Sequence, residues 1–254
     1  MIREEFSFGA SVMHRLDPRL KLLAATGFSI VVALSTRWMA LAGALIFASV
    51  LLMFARLPVK SVGPRLFAVN AFVGLFWVML PLSVSGSPLY SAGPVSVSLE
   101  GFALAGRLTL KSNSIVMAFM ALAATSSIGA LGAAMNRLRF PEKLTLLFLL
   151  TYRYLFVIQE EYERLKRAAL MRGFKPKTDL HTYRTYAYWI AVLFVRASAR
   201  AQRVQDAMTC RGFSGKFHTL REDEWTFRDS AWSVVLTAMV LVLVMVEWSP
   251  VSCS

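Results

Sequence analysis

Residues 140–174 read FPEKLTLLFLLTYRYLFVIQEEYERLKRAALMRGF, and residues 181–213 read HTYRTYAYWIAVLFVRASARAQRVQDAMTCRGF. Each stretch opens on aromatic and aliphatic residues, turns arginine-rich, and closes on the phrase A-x-x-x-R-G-F, at 168–174 and again at 207–213. Pro141 suits the start of a helix. Unbroken, 141–172 would extend ~48 Å at ~1.5 Å per residue, well beyond a hydrocarbon core of ~30 Å. The charged second half does not belong in lipid. A break, or a long helix lying across the inner membrane surface, is therefore expected. The same plan is expected of the second stretch.

The repeat extends upstream of its phrase. Arg164, Ala168 and Arg172 are spaced by four, and so are Arg203, Ala207 and Arg211. Residues four apart share a helix face, so each set makes one stripe. Glu160 and Glu163 stand four before Arg164 and Arg167, the favourable order for ion pairs along a helix. Gly173 and Gly212 follow as C-terminal stops, since glycine tolerates the left-handed conformation. An arginine in the last turn also suits the negative end of the helix dipole. Phe174 and Phe213 can pack back or into a partner. A single copy reads as a helix-ending device. Two copies with the same upstream Arg and Ala suggest two equivalent helix tips docking into two equivalent surfaces, such as those of a symmetric dimer beneath the membrane.

The rest of the chain of 254 residues is 56% hydrophobic and 17% charged, too apolar for an ordinary soluble domain. Apolar runs at 20–36, 38–54, 66–82, about 108–126 and 231–248 are each near the ~20 residues that a spanning helix needs. Helices satisfy their own backbone in lipid, so an all-α membrane protein of about five spans plus long amphipathic cytoplasmic helices is expected. Its parts are 1–126 with four spans, 127–228 as the cytoplasmic segment, and 229–254 with the last span. In "LDPRLKLL", Asp17 can cap a helix and Pro18 suits its first position, while Arg19 and Lys21 read as membrane anchors.

The formal net charge is +13, and 127–228 holds 18 of the 28 basic and 9 of the 15 acidic residues. Arg3, Arg15, Arg19 and Lys21 precede or open the first span, and 83–99 carries no Lys or Arg. Under the positive-inside tendency the N-terminus and 127–228 are cytoplasmic, and 83–99 and the C-terminus lie outside. Arg107 and Lys111, four apart in the fourth span, are expected to snorkel or to face a polar gap between helices. No cleavable signal peptide is evident at the N-terminus.

Several chemistries find no support. The nearest match to a phosphate loop, GFALAGRL at 101–108, has Arg107 for Lys and Leu108 for Ser or Thr, beside a span. This stretch cannot supply the phosphate and magnesium contacts of such a loop. His14, His181 and His218 lack metal-ligand spacing, the REDE stretch at 221–224 reads as a solvated loop, and Cys210 and Cys253 form no CxxC pair. The first three runs contain no Asp, Glu or His, which counts against an intramembrane enzyme. Acidic residues interleaved with the basic ones count against a membrane-anchored nucleic-acid binder.

Over nearly its whole length the chain resembles the transmembrane, or T, component of energy-coupling factor transporters. The resemblance rests on two Ala-Arg-Gly signatures, here Ala168, Arg172, Gly173 and Ala207, Arg211, Gly212, together with HRLDPRLKLL and FPEKLTLLFLLTYRYL. The form CRGFSGKF is most similar to the cobalt branch, CbiQ; Cys210 stands where the family commonly has Ala. The resemblance implies a non-catalytic, multi-pass subunit of the bacterial inner membrane, tied to cobalamin biosynthesis. It would join a membrane-embedded substrate-binding subunit, optionally with a small accessory membrane subunit, to a dimer of ABC-type ATPases. The ATPases would use ATP and Mg; this chain would bind no cofactor, metal or nucleic acid. The tips bearing Arg172 and Arg211, supported by Arg164, Arg203, Phe174 and Phe213, would sit in grooves of the ATPases. The cargo implied is a transition-metal ion, cobalt foremost, with nickel or a vitamin as alternatives.

Overall fold

A computed structural model describes residues 13, 16–84, 88–92, 95–213, 215 and 227–248. Arg3, His14, Arg15, Ser214, His218, the 221–224 stretch and Cys253 lie outside the described residues. The helices are α1 (Pro18–Leu34), α2 (Trp38–Ala55), α3 (Val59–Ser83), α4 (Leu99–Leu122), α5 (Ile128–Arg137), α6 (Glu142–Met171), α7 (Leu180–Cys210) and α8 (Phe227–Trp248). A short antiparallel hairpin, β1 (Pro88–Ala92) and β2 (Val95–Ser98), precedes α4. The all-α expectation did not include this hairpin; the alternation VSVS is the local signal for it. The chain divides into two compact units, Arg3–Ala134 with Asp223–Ser254, and Met135–Glu222.

In the first unit α4 packs against α1, α2 and α3, and α8 against α1 and α2. Asp17 caps α1, its side chain accepting from the Arg19 amide at 2.8 Å, with Pro18 at the first helical position. Ala40, Ala44 and Ala48 repeat every fourth residue along α2 and are buried. Small side chains on one face let neighbouring helices approach closely. Phe28, Val32, Leu41, Ala118 and Leu243 complete that core, and a second core joins Leu16, Leu20, Leu51, Leu122 and Leu236.

Among the described residues, three helices are long and apolar enough to cross a membrane: Trp38–Ala55, Lys60–Ser83 and Asp229–Trp248. Of the five expected runs, α1 has only 17 residues and includes Arg19 and Lys21, and α4 carries Glu100, Arg107 and Lys111. Outward positions are apolar: Met53, Phe67, Phe72, Val78, Val235 and Met245 are all exposed. Such a surface is a liability in water and is at home in lipid. The protein is an all-α membrane protein.

Two local expectations are corrected. Lys21 is no membrane anchor: it is 1% exposed, and its Nζ donates to Ser126 Oγ at 3.0 Å. α4 begins at Leu99, well before the apolar run, because Ser98 caps it by accepting from the Gly101 amide at 3.1 Å. The glycines of GFALAGRL sit within this helix rather than in a phosphate loop. A Cβ on Gly101 would come within 2.5 Å of the Pro81 Cα, and one on Gly106 within 2.9 Å of the Trp38 ring. Both therefore serve close helix approach. Arg107 and Lys111 face neighbouring helices. Arg107 lies over the Trp38 ring, 5.6 Å from its centroid, and Lys111 Nζ donates to the Ala33 carbonyl in the last turn of α1 at 2.7 Å. That carbonyl is among the last four of α1, which have no intrahelical donor.

Candidate functional site

The second unit is built on α6 and α7, 30 and 31 residues long and each an uninterrupted helix. The break expected as one alternative for these stretches does not occur. At ~1.5 Å per residue each is ~45 Å long. Pro141 sits at the N-cap, one residue outside the helix it opens. Abundant Leu, Glu, Lys, Arg and Ala favour an unbroken helix through the charged halves.

Both helices end in the same hydrogen-bonded stop. At the end of α6, Gly173 N–H donates to the Leu170 carbonyl and Phe174 N–H to the Ala169 carbonyl, each at 3.0 Å. At the end of α7, Gly212 N–H donates to the Thr209 carbonyl at 2.9 Å and Phe213 N–H to the Met208 carbonyl at 3.0 Å. This is a Schellman motif in both cases, with the glycine left-handed at φ 81° and 77°. Arg172 and Arg211 occupy the C-cap itself, with nearly identical backbone angles.

The stop is completed by backbone groups, so it makes no demand on either guanidinium. Arg172 and Arg211 are exposed, and among the described residues neither side chain has a hydrogen bond or an ion-pair partner. Ala168, Gly173, Ala207 and Gly212 are exposed as well. Each tip thus presents a cation beside small residues, an open approach for a bidentate acceptor such as a carboxylate or a backbone carbonyl pair.

The upstream residues differ between the copies. Arg164 lies 3.9 Å from Glu160 and 3.3 Å from Glu161, and Arg196 reaches Glu161 at 2.7 Å. The Glu160 pair follows the expected i,i+4 order. The Glu161–Arg196 pair ties α6 to α7 and was not legible in the sequence, because its members are 35 residues apart. Arg203 instead lines a cleft between the two helices. Phe174 packs on the start of α7, its ring 5.5 Å from Trp189, 6.2 Å from Tyr186 and 6.3 Å from His181. Tyr162 of α6 joins the same cluster, 6.0 Å from Trp189. The crowding of aromatics in TYRTYAYW, 182–189, was the available signal for this socket.

Phe213 lines the cleft, a volume of about 1040 Å³ walled by Leu146, Leu150, Tyr154, Ile158, Leu193 and Met208. Arg196, Arg200 and Arg203 border it. The helices are tied near Glu161 and Arg196 and leave this apolar opening between the first half of α6 and the second half of α7.

A family model described as CbiQ, cobalt transport protein, matches residues 9–220. The chain is 26% identical over 261 residues to the energy-coupling factor transporter transmembrane protein EcfT of Listeria innocua, across 94% of this chain and 95% of that protein. It is 28% identical over 252 residues to EcfT of Exiguobacterium sibiricum, across 93% and 95%. Over 134 residues, 52% of this chain and 54% of the relative, it is 30% identical to the cobalt transport protein CbiQ of Rhodobacter capsulatus.

Proposed function

The chain belongs to the CbiQ family of cobalt transport proteins, and from that membership we propose that it is the coupling T component of an energy-coupling factor importer. In this reading it links ATP hydrolysis by a dimer of ABC-type ATPases to uptake of a transition-metal ion, cobalt(II), through a separate membrane-embedded substrate-binding subunit. ATP and Mg are used by the partner chains.

The observation that carries the reading is the pair of matched helix ends. Two Schellman stops present two exposed arginines, and neither is used by its own helix. A closed ATPase dimer offers two symmetry-related grooves, and two matched tips suit two matched grooves. The long helices α6 and α7 supply rigid arms: tip displacement driven by ATPase closure moves a whole helix rather than a loop. The apolar cleft between them supports the second partner, since a membrane subunit presents apolar helix faces that such a groove can cover. The charge distribution of the sequence supports placing both tips on the cytoplasmic side.

The test is purification of the gently solubilised complex through a tag on this chain, followed by reconstitution in liposomes. ATPase and membrane subunits should co-purify, and ATP should drive uptake of radioactive cobalt(II). Uptake of nickel(II) but not cobalt(II) would keep the scaffold role and change the cargo. Absence of any co-purifying ATPase would defeat the reading.

A further inference from the structure

The membrane unit holds a cluster of charges away from solvent. Lys21 is 1% exposed, Asp229 4%, Asp17 6% and Ser126 8%. Lys21 Nζ donates to Ser126 Oγ at 3.0 Å, and the Asp17 amide donates to Asp229 Oδ1 at 3.0 Å. Asp17 Oδ1 accepts from the Arg19 amide at 2.8 Å, and its Oδ2 lies 3.8 Å from Arg19 Nε. The cluster joins three separate pieces of chain: the start of α1, the turn between α4 and α5, and the start of α8. Beside it lies the core of Leu16, Leu20, Ala121, Leu122 and Leu236.

Buried charges cost more than an apolar core of the same volume, and their best-attested use is to specify one arrangement. The positions of these residues along the chain indicate what is being specified. The chain passes from the membrane unit to the second unit after Ala134 and returns at Asp223. Ser126 lies just before the outward passage and Asp229 just after the return. Ser126 and Asp229, which flank the two passages, are therefore both fastened at the head of α1.

We propose that the Lys21–Asp17–Asp229–Ser126 node is a positioning device that holds both passages in fixed register, so that motion of the unit carrying Arg172 and Arg211 is delivered to the membrane helices instead of being absorbed in the connections. The proposal rests on the coupling reading above. It assigns to Lys21, Asp17, Asp229 and Ser126 a role distinct from that of the helix tips: the tips attach the ATPases, and the node transmits.

The test uses the reconstituted complex and two variants. Asp17→Asn, Lys21→Met and Asp229→Asn combined remove the three charges together rather than stranding one of them, and Asn caps α1 about as well as Asp. Ser126→Ala removes only the hydroxyl. ATP hydrolysis and cobalt(II) imported are measured on the same liposomes, normalised to assembled complex. The expected result for the triple variant is assembly and hydrolysis near wild type, with cobalt(II) imported per ATP falling roughly tenfold, within the usual range of coupling between sites. Ser126→Ala should shift the same ratio in the same direction by a smaller factor. A purely structural node would lower the yield and melting temperature of the complex and leave the ratio unchanged, and an unchanged ratio in Ser126→Ala and in whatever triple variant assembles overturns the proposal. Failure of the coupling reading shows itself in the wild type, as absent ATPase or absent ATP-driven uptake of both cobalt(II) and nickel(II), and overturns both.

Discussion

Replacing Arg172 and Arg211 by Ala separates docking from helix termination. Within the chain both side chains are exposed and without partners among the described residues. The stop at each tip is made by the amides of Gly173, Phe174, Gly212 and Phe213. Truncating either arginine should therefore change the stability of the chain by no more than about 0.5 kcal/mol, the usual range for an uninvolved surface position. At an ATPase groove the same truncation removes a desolvated, charge-assisted contact, a loss of about 2–5 kcal/mol. That is roughly 30-fold to several thousand-fold in affinity. The two tips belong to different helices, so the double variant should lose close to the sum. Arg→Lys should also weaken attachment, because an ammonium cannot reproduce the planar fork. The control is Gly173→Ala, which places a Cβ at φ 81° and strains the stop by about 1 kcal/mol while keeping the guanidinium. The assay is pull-down of the ATPases and cobalt(II) uptake at matched membrane levels, alongside thermal unfolding of the detergent-solubilised chain. Docking requires normal unfolding with lost attachment in the arginine variants. Normal attachment and uptake in Arg172→Ala/Arg211→Ala would refute it, and helix termination would then account for both motifs.

Cysteine labelling tests orientation: in intact cells Ser91→Cys should react with an impermeant thiol reagent and Ser214→Cys should not, and the reverse pattern would invert the topology inferred from the basic residues. The native Cys210 and Cys253 would be replaced by Ser in that background. Purified free of partner ATPases, the chain should release no phosphate from ATP above background, since GFALAGRL lies along a helix; turnover that follows this polypeptide through every column would defeat the scaffold role. Gly101→Ala should destabilise the membrane unit by about 1–3 kcal/mol, because the added methyl meets the backbone of Leu80 and Pro81, and an unchanged melting temperature would show that α3 and α4 can separate without cost.

The helices and their ends were legible in the chain because the forces behind them act over a few residues. Asp17 and Pro18 mark the start of α1, and Gly173 and Gly212 mark the ends of α6 and α7, through bonds that reach no further than five or six positions. The same locality made the twin tips visible, since an arginine before a left-handed glycine is a pattern within one turn. Apolar runs announced the membrane, but their ends misplaced α4, whose first turns depend on the Ser98 cap and on glycines that admit α3 and Trp38. Only the tertiary structure decided which charges are solvated. Lys21 is indistinguishable in sequence from a surface anchor until Ser126 and Asp229 are brought beside α1. Arg107 and Lys111 read equally as snorkelling cations or as cations facing a gap between helices until packing sets them against the Trp38 ring and the end of α1. Arg164 and Arg203 hold equivalent places in the repeat, yet one is paired with Glu160 and Glu161 and the other lines the cleft. Hydrogen bonds along a helix are set by neighbours in sequence, whereas the environment of a charge such as Lys21 is set by residues about a hundred or two hundred positions away, joined only by packing.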